Sequence, residues 1–428
     1  MLNRFFQLGQ RQTSVRTECI AGLTTFLTMA YIIFVNPAIL SQAGMNKEAL
    51  IAVTCLVTAV ATIATGLFAN APIAMAPGMG LNAFFAFTLV IGHHVSWQTA
   101  LGVVFLSGLF FLILTLVGLR KKLVEAIPQS LISAIAVGIG LFITFIGLQN
   151  LGLIKSDPVT FVSGAALNRT ILIGLAGLLV MIYLEMKHIP GALLLGILCS
   201  TVLAMVFGQI QPPQQVISTQ FHLSELFLKM DVVGALKWSL FSSIFTLMFI
   251  DMFDSIGTLL AVAPQAGLAD KNGKIKSIDR LLILDAGATM FGAVCGTSTT
   301  TAYIESAAGV EQGGRTGLTA VITGVLFLLA MLFVPLVGIV PKYATAPALI
   351  MVGLFMMKEI CRIDFSDIRH GLPAFVIIVM IALSYSISTG LAFGFIAFTL
   401  MEVMAGRIRE IKPTMWLIAV LSIFYFCV

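Results

Sequence analysis

The chain has 428 residues, of which 59% are hydrophobic and only 10% are charged. A soluble domain carries roughly a quarter charged residues, so this composition excludes an ordinary soluble protein and indicates an integral membrane protein in a lipid bilayer. The formal net charge of +5 gives no reason to expect a nucleic acid partner. The six cysteines are scattered singly, so we expect no disulfide framework, metal site or cofactor.

The apolar residues fall into about 14 segments, and a membrane-crossing helix needs about 20 mostly apolar residues. We number them spans 1 to 14 by their centres, which lie near Met29, Val60, Phe84, Gly108, Gly138, Leu175, Gly196, Met248, Thr289, Glu305, Leu326, Leu349, Ile377 and Phe395. The basic N-terminus lacks the small-residue cleavage site of a signal peptide, and we expect it to stay attached on the cytoplasmic side. The apolar stretch Thr414 to Val428 is too short to span comfortably and is expected to lie at the interface or against the bundle.

The positive charges are distributed unevenly between the loops. With the N-terminus inside and fourteen spans, 18 of the 24 Lys and Arg residues fall in inner segments. The six outer ones are Lys47, Lys155, Arg169, Lys229, Lys237 and Lys342. This asymmetry obeys the positive-inside rule and predicts that both termini lie on the cytoplasmic side of the inner or plasma membrane.

The polar stretch from Gln209 to Lys237 divides the chain near its midpoint, with seven predicted spans on each side. An odd number of spans in each half forces the halves into opposite orientations. Inverted repeats of this kind are common in secondary transporters. The chain is therefore predicted to be an all-α membrane protein built from two inverted repeats of seven spans.

Span 10 is interrupted within the stretch Gly296 to Gly317, which reads GTSTTTAYIESAAGVEQGGRTG. Its run of threonines is β-branched and favours an extended segment, whereas the composition from Ala302 onward favours a half-helix. Irregular backbone in a membrane is tolerated only where it is buried in protein or lines a cavity. An unwound segment beside the acid Glu305 therefore indicates a ligand site.

Span 3 occupies the matching position in the first repeat and is also interrupted. Its approach and body read ANAPIAMAPGMGLNAFFAF, in which Pro72, Pro77, Gly78 and Gly80 break the helix. Two broken helices at corresponding positions are the best sequence indication of a site near the bilayer midplane. Their half-helix N-termini would present free N–H groups to a polar ligand.

Four acids lie within spans, where a charge costs about 2.5 to 3.5 kcal/mol on insertion scales. Asp254 on span 8 shares a helix face with Asp251 and Thr258. We expect Asp254 to bind a ligand or carry a proton, unless it only bonds a neighbouring helix; Asp251 carries a proton or positions Asp254. Two carboxylates this close in a medium of low dielectric should not both stay ionised. Asp285 on span 9 is expected to be a packing or interfacial acid.

Glu305 is the leading candidate for binding, the alternative being an acid that caps a half-helix. Asn82 can both donate and accept hydrogen bonds, so it is either a second ligand-binding residue or a capping residue. Thr28 on span 1 is a weaker candidate, as is Tyr31, because a lone hydroxyl in a membrane helix usually bonds its own backbone.

The same residues carry a family resemblance. The stretches TTFLTMAYIIFVNP, APGMGLNAFFAF, FDSIGTL and TSTTTAYIESAAGVEQGGRTGLTA resemble the purine permeases of the azaguanine-resistance branch of the nucleobase:cation symporter group. The resemblance covers roughly residues 15 to 409. It implies that Asp254 and Glu305 bind the base and that Asn82 matches the polar position of span 3. The uracil-type branch differs, since its eighth-span Glu and following His are replaced here by Asp254 and Thr258.

The resemblance also implies a core of spans 1–4 and 8–11 that moves against a gate of the remaining spans, and it allows a homodimer. We therefore predict four ranges: residues 1–150 with core spans 1–4 and the start of the gate, and 151–237 with gate spans 6 and 7. Residues 238–337 hold core spans 8–11, and 338–428 hold gate spans 12–14 and the C-terminal apolar segment.

The predicted function is import of a purine base (adenine, guanine or hypoxanthine) with a proton by alternating access. Asp254, Glu305, Asn82, Thr28 and Thr258 would bind the base, and Asp254, Glu305 and Asp251 would serve proton coupling. An anion or dicarboxylate permease is the alternative within transport, but it would need positive charge, and no Lys or Arg lies in either broken helix before Arg315. An intramembrane aspartyl protease is a further alternative, although the GxGD motif is absent.

Overall fold

The computed structural model describes residues 2–118, 127–213, 215–269, 275 and 277–427. Six inner cations that contribute to the orientation argument lie outside these residues: Arg120, Lys121, Lys122, Lys271, Lys274 and Lys276.

The described residues are mostly helical, and each predicted span corresponds to a helical segment. Spans 1 to 7 are Val15–Met29 with Ile32–Leu40, Lys47–Ala64 with the π-helical turn Thr65–Ala69, Met79–Ala83 with the π-helical stretch Phe84–Gly92, Trp97–Val117, Gln129–Leu151, Arg169–Met186, and Ala192–Val206. Spans 8 to 14 are Phe241–Gln265, Ile278–Cys295, Ser306–Glu311, Gly317–Ala330 with Val334–Gly338, Lys342–Met357, Ile368–Ser384, and Ile387–Met404.

The remaining elements are short. Helices also form at Leu2–Phe5, Val232–Ala235 and Pro413–Cys427, and single 3₁₀ turns form at Ser41–Ala43, Leu223–Glu225, Trp238–Leu240, Met331–Phe333, Lys358–Arg362 and Ile408–Glu410. Four strands, β1 to β4, cover Met75–Pro77, Ile154–Asp157, Phe161–Gly164 and Thr300–Ala302. Strands β2 and β3 form a hairpin between spans 5 and 6.

Within the described residues, nine helices are long and apolar enough to cross a membrane, and three shorter apolar helices complement them. The predicted all-α membrane fold with two interrupted spans is confirmed. The C-terminal helix Pro413–Cys427 has 15 residues, and whether it crosses the membrane stays a prediction.

The two interruptions meet each other. Strand β1 before the span 3 helix pairs antiparallel with β4 before the span 10 helix, in the register Met75 with Ala302, Ala76 with Thr301 and Pro77 with Thr300. Two further backbone bonds extend the ribbon, from Tyr303 N–H to the Ala74 carbonyl (2.9 Å) and from Gly78 N–H to the Thr299 carbonyl (3.0 Å). Pairing with each other satisfies the backbone groups that the missing helical turns would have used.

The helices sort into two groups by their packing. Spans 1–4 and 8–11, the core group, pack mainly against one another and surround the β1–β4 ribbon. Spans 5–7 and 12–14, the gate group, are joined chiefly by the contacts of spans 5, 12 and 13. This division agrees with the predicted core and gate, while the four predicted residue ranges stay predictions.

Hydrogen bonds of buried polar side chains connect the helices of the core group. Glu18 at the start of span 1 is fully buried and accepts hydrogen bonds from the backbone N–H of Arg315 (2.9 Å) and Thr319 (3.1 Å). It thereby caps the first turn of span 11, where the backbone donors are otherwise unpaired. The glycines Gly66 and Gly317 let spans 2 and 11 touch through their backbones, because a Cβ on Gly317 would collide with the Gly66 carbonyl.

Candidate functional site

Glu305 lies at the junction between strand β4 and the half-helix of span 10. Its side chain is half-buried, and the Tyr31 hydroxyl of span 1 donates to Glu305 Oε1 at 2.5 Å. The Thr28 hydroxyl bonds its own backbone, at the carbonyls of Thr24 (3.0 Å) and Thr25 (2.9 Å), and lies 3.5 Å from the Glu305 carbonyl. The carboxylate therefore keeps one oxygen for a further partner, and Tyr31 fixes its orientation.

Asp254 faces open space from the middle of span 8. Asp254, Gly257 and Leu260 form the exposed stripe of this helix, whereas Asp251, Ser255 and Thr258 on the other side are buried. A Cβ built on Gly257 would meet nothing within 4 Å. Asp254 is close enough to Glu305 for the two carboxylates to interact electrostatically. Two acids 51 positions apart in sequence thus lie near each other, and we call the exposed surface beside Asp254 the opening.

The β4 strand connects these acids through its side chains. The hydroxyls of Thr301 and Ser255 are 2.6 Å apart, and Thr301 is within hydrogen-bonding reach of Asp254. The Tyr303 hydroxyl donates to the Pro77 carbonyl at 2.6 Å, which joins span 10 to span 3. Tyr303 is also near enough to Asp254 and Glu305 for its hydroxyl to interact electrostatically with both carboxylates.

Asn82 lies on the helix Met79–Ala83 of span 3. It is fully buried, the Ser298 hydroxyl donates to its Oδ1, and its Nδ2 has no hydrogen-bond partner among the described residues. Asn82 thus joins the span 3 helix to the threonine run, and its amide nitrogen remains able to donate. Its role in binding stays a prediction.

The remaining predicted residues of span 8 point away from the opening. Thr258 is buried one turn after Asp254. Asp251 is also buried, and the Thr289 hydroxyl of span 9 donates to its Oδ2 at 3.0 Å. Asp251 and Asp254 therefore lie on the buried and the exposed side of span 8, although they remain near enough to interact electrostatically.

Sequence reasoning ranked one nearby residue low and missed two others. Tyr31 counted only as a weak candidate, and Tyr303 and Thr301 were not considered. The alternation of a strand offers a signal for the last two, since Thr301 and Tyr303 share one face of the extended segment that leads to Glu305. Phe84, Phe85 and Phe253, which adjoin the predicted site residues in sequence, are buried in the core.

The charge of the opening is negative. Span 8 contains no Lys or Arg, and span 1 contains only Arg16 at its exposed start. Arg315 donates to the carbonyls of Val310 (2.6 Å) and Gly314 (2.8 Å), so its guanidinium is occupied by the backbone after span 10. Two carboxylates and two phenols suit a solute that offers N–H donors, and they disfavour an anion.

Comparison with known proteins identifies the family. The profile described as "Permease family" matches residues 16–393. The adenine permease AdeQ of Escherichia coli (strain K12) is 44% identical over 421 residues, covering 98% of this chain and 95% of AdeQ. The guanine/hypoxanthine permease PbuG of Bacillus subtilis (strain 168) is 42% identical over 437 residues, covering 99% of each protein.

Solved structures show the same fold. The transmembrane domain of the cyanobacterial bicarbonate transporter BicA superposes with a TM-score of 0.66 at 18% identity, covering 87% of this chain and 96% of that domain. The family resemblance stated from the motifs is confirmed, and the alternative of an intramembrane protease is wrong, because the relatives are permeases. The chain belongs to the Permease family and is an integral membrane transporter.

Proposed function

We propose that the protein imports a purine nucleobase (adenine, guanine or hypoxanthine) across the cytoplasmic membrane by proton symport. The observation that carries the proposal is the pairing of Asp254 and Glu305 in one opening between span 8 and the broken span 10. A purine is neutral and flat, and its edge presents ring N–H and amino donors. Carboxylates accept from such donors much as acids accept from base edges in nucleic acid recognition.

The relatives point to the same substrate class. AdeQ is named an adenine permease and PbuG a guanine/hypoxanthine permease. Both match this chain over almost its whole length, so the broken spans and the two acids fall within the matched region. Because the two relatives carry different purines, the choice among adenine, guanine and hypoxanthine is left to measurement.

An anion or dicarboxylate permease is the second candidate, since BicA shares the fold and is named a bicarbonate transporter. The likeness at 18% identity concerns the fold alone. An anion would face Asp254 and Glu305 without a compensating cation on span 8 or on the half-helix of span 10, which contain no Lys or Arg. Like charges this close repel, so the geometry favours the neutral base.

The transport movement we propose is elevator-like. The core group carries both broken spans and both acids, and it would move as a body against the gate group to expose the site alternately to each side. Asp254, Glu305 or Asp251 would hold the coupling proton. Cytoplasmic termini, residence in the inner or plasma membrane and a homodimer are further parts of the proposal.

Binding and uptake measurements test the proposal. Purified protein is titrated with adenine, guanine, hypoxanthine, uracil and sulfate while its thermal stability is followed, because a ligand that binds the folded state raises the melting temperature. We expect stabilisation by at least one purine and none by sulfate. Stabilisation by sulfate alone would favour the anion permease instead.

Uptake of the stabilising purine into membrane vesicles then tests the coupling. With an imposed pH gradient we expect accumulation that a protonophore abolishes. Accumulation that is unchanged by the protonophore would contradict proton symport while leaving purine transport intact.

A further inference from the structure

A second pair of acids is buried on the other side of span 8 from the opening. Asp251 on span 8 and Asp285 on span 9 have 1% and 0% of their surface exposed. They are near enough to interact electrostatically. We predicted from the sequence that Asp285 serves packing or the interface, and its complete burial removes the interfacial alternative.

Three of the four oxygens in this pair have no hydrogen-bond donor. Asp251 Oδ2 accepts from Thr289 (3.0 Å), while Asp251 Oδ1 and both oxygens of Asp285 have no hydrogen bond within the described residues. Asp285 lies close to the Ser255 hydroxyl and the Ala302 backbone amide, but neither contact reaches hydrogen-bond geometry. Packing contacts do not explain buried carboxylate oxygens that lack donors, since buried polar groups are normally paired.

Among the described residues, no Lys or Arg acts electrostatically on the pair. Span 4, which packs on both helices, has no titratable side chain, and span 2 contributes the buried thiol of Cys55. Lys47 and Glu48 lie in the first turn of span 2, where Lys47 donates to the carbonyls of Gly338 (3.0 Å) and Val340 (2.9 Å), and Arg280 lies at the exposed start of span 9. The nearest further acid is Asp254, with Glu305 and Tyr303 following on span 10. Two ionised carboxylates in this setting would repel each other and pay a desolvation cost of several kcal/mol each. A single bound proton removes the repulsion and the desolvation cost of one of the two carboxylates.

Hydroxyl groups connect the buried pair to the opening. The Thr289 hydroxyl bonds Asp251 and also exchanges hydrogen bonds with the Thr300 backbone, accepting from its N–H (3.1 Å) and lying 3.0 Å from its carbonyl. Ser255 lies between Asp285 and Thr301, and Thr301 reaches Asp254. Strand β4 therefore touches both acid pairs, and a change in the charge of one pair acts on the strand that positions the other.

We propose that Asp251 and Asp285 together form the site of the coupling proton, separate from Asp254 and Glu305, which bind the base. The pair takes up one proton from the outer side as an O–H bond on one carboxylate and releases it as H⁺ to the inner side, with no other bond changed. This inference rests on the proposed function and assigns its proton to particular residues.

The test uses purified protein in liposomes that contain a pH-sensitive dye. The wild type, Asp285→Asn and Asp251→Asn are compared in two assays with the purine that the wild type binds: exchange of labelled purine at equal pH, and proton influx that accompanies purine entry. Exchange requires binding and movement of the core group but no net proton transfer. The matched control is Asp279→Asn, which changes an exposed acid at the start of the same helix.

We expect both pair variants to keep exchange within about threefold of the wild type and to lose at least about tenfold in proton influx per purine. The Asp279→Asn variant should behave as the wild type in both assays. Purine-induced thermal stabilisation of each variant shows that it is folded, and Asp285→Glu should restore proton influx if Asp285→Asn does not fold.

Two results would overturn the assignment. Proton influx that persists in both pair variants would mean that the proton travels elsewhere. Wild-type accumulation driven by a sodium gradient at equal pH, and lost in Asp285→Asn, would make the pair a sodium site. A wild type that binds no purine would instead refute the proposed function itself, so the two failures are distinguishable.

Discussion

The two acid pairs of this protein contain the same functional group, but one pair lies at an exposed surface and the other is buried. Asp254 and Glu305 face an opening, and a tyrosine hydroxyl orients the second of them. Asp251 and Asp285 are buried, and three of their oxygens have no donor within the part of the chain that the structure describes. An open pair can accept hydrogen bonds from a molecule the size of a purine, whereas a sealed pair admits only a small cation. In the proposed mechanism, exposure and not residue type therefore distinguishes the binding pair from the coupling pair.

The largest effect is expected at the open pair, from Glu305→Gln. An amide cannot replace the carboxylate as a charged acceptor for two purine donors, so the purine Kd should rise about 100-fold, or about 2.7 kcal/mol. Calorimetric titration measures this change. Glu311→Gln, an exposed acid at the end of the same half-helix, is the control and should bind as the wild type. Unchanged affinity in Glu305→Gln would remove this acid from the site.

A somewhat smaller effect is expected from Asp254→Asn, because Asp254 is more exposed and its bond to a ligand is better screened. We expect a loss of about 30-fold in affinity in the same titration. The sharpest comparison is Asp251→Asn, three residues earlier on the same helix, which should change the Kd by less than about threefold. If the two variants lost affinity equally, the distinction between open and sealed pairs would be wrong.

Tyr31→Phe should weaken purine binding by about tenfold, because it removes a charge-assisted hydrogen bond and leaves Glu305 free to rotate. Tyr183→Phe, which alters an exposed tyrosine on span 6, provides the control. Tighter binding in Tyr31→Phe would show that the purine has to displace the tyrosine hydroxyl from Glu305.

The smallest effect on binding is expected from Thr289→Val, which removes the hydroxyl between Asp251 and Thr300. Affinity should change by less than about threefold, while the free energy of unfolding should fall by about 1 to 2 kcal/mol, because Asp251 Oδ2 and the Thr300 N–H lose their partner. Thermal unfolding and proton influx per purine are the measurements. Thr201→Val, whose hydroxyl bonds only its own helix at the Ile197 carbonyl (2.8 Å), is the comparison. A large loss of affinity without a loss of coupling would contradict the proposed separation.

The fold was predictable because its signals are local. Apolar runs of sufficient length mark the spans, and Pro77, Gly78 and the threonine run mark the two interruptions. Asp254 and Glu305 were recognisable because an acid inside an apolar segment is costly and needs an explanation. Their mutual proximity was implied by the family resemblance, and the structure places them near enough to interact electrostatically.

The contacts of the side chains were less predictable. Nothing in the sequence ranked Tyr31 above Thr28, yet Tyr31 reaches Glu305 while Thr28 mainly bonds its own helix. Asp285 was assigned to packing or the interface because it follows Arg280 near a span end, but its helix turns it into the interior beside Asp251.

The sequence alone determined that this protein crosses the membrane repeatedly, that two of its spans are broken at matching places, and that acids accompany the breaks. These properties depend on hydrophobicity and backbone propensity, which act within a few residues. Only the tertiary structure decided which acid faces an opening and which is sealed, because that depends on how spans 8, 9 and 10 rotate when β1 and β4 pair across more than two hundred residues. Successive residues of a helix point about 100° apart. A rotation of the helix by that angle can therefore turn an exposed side chain into a buried one.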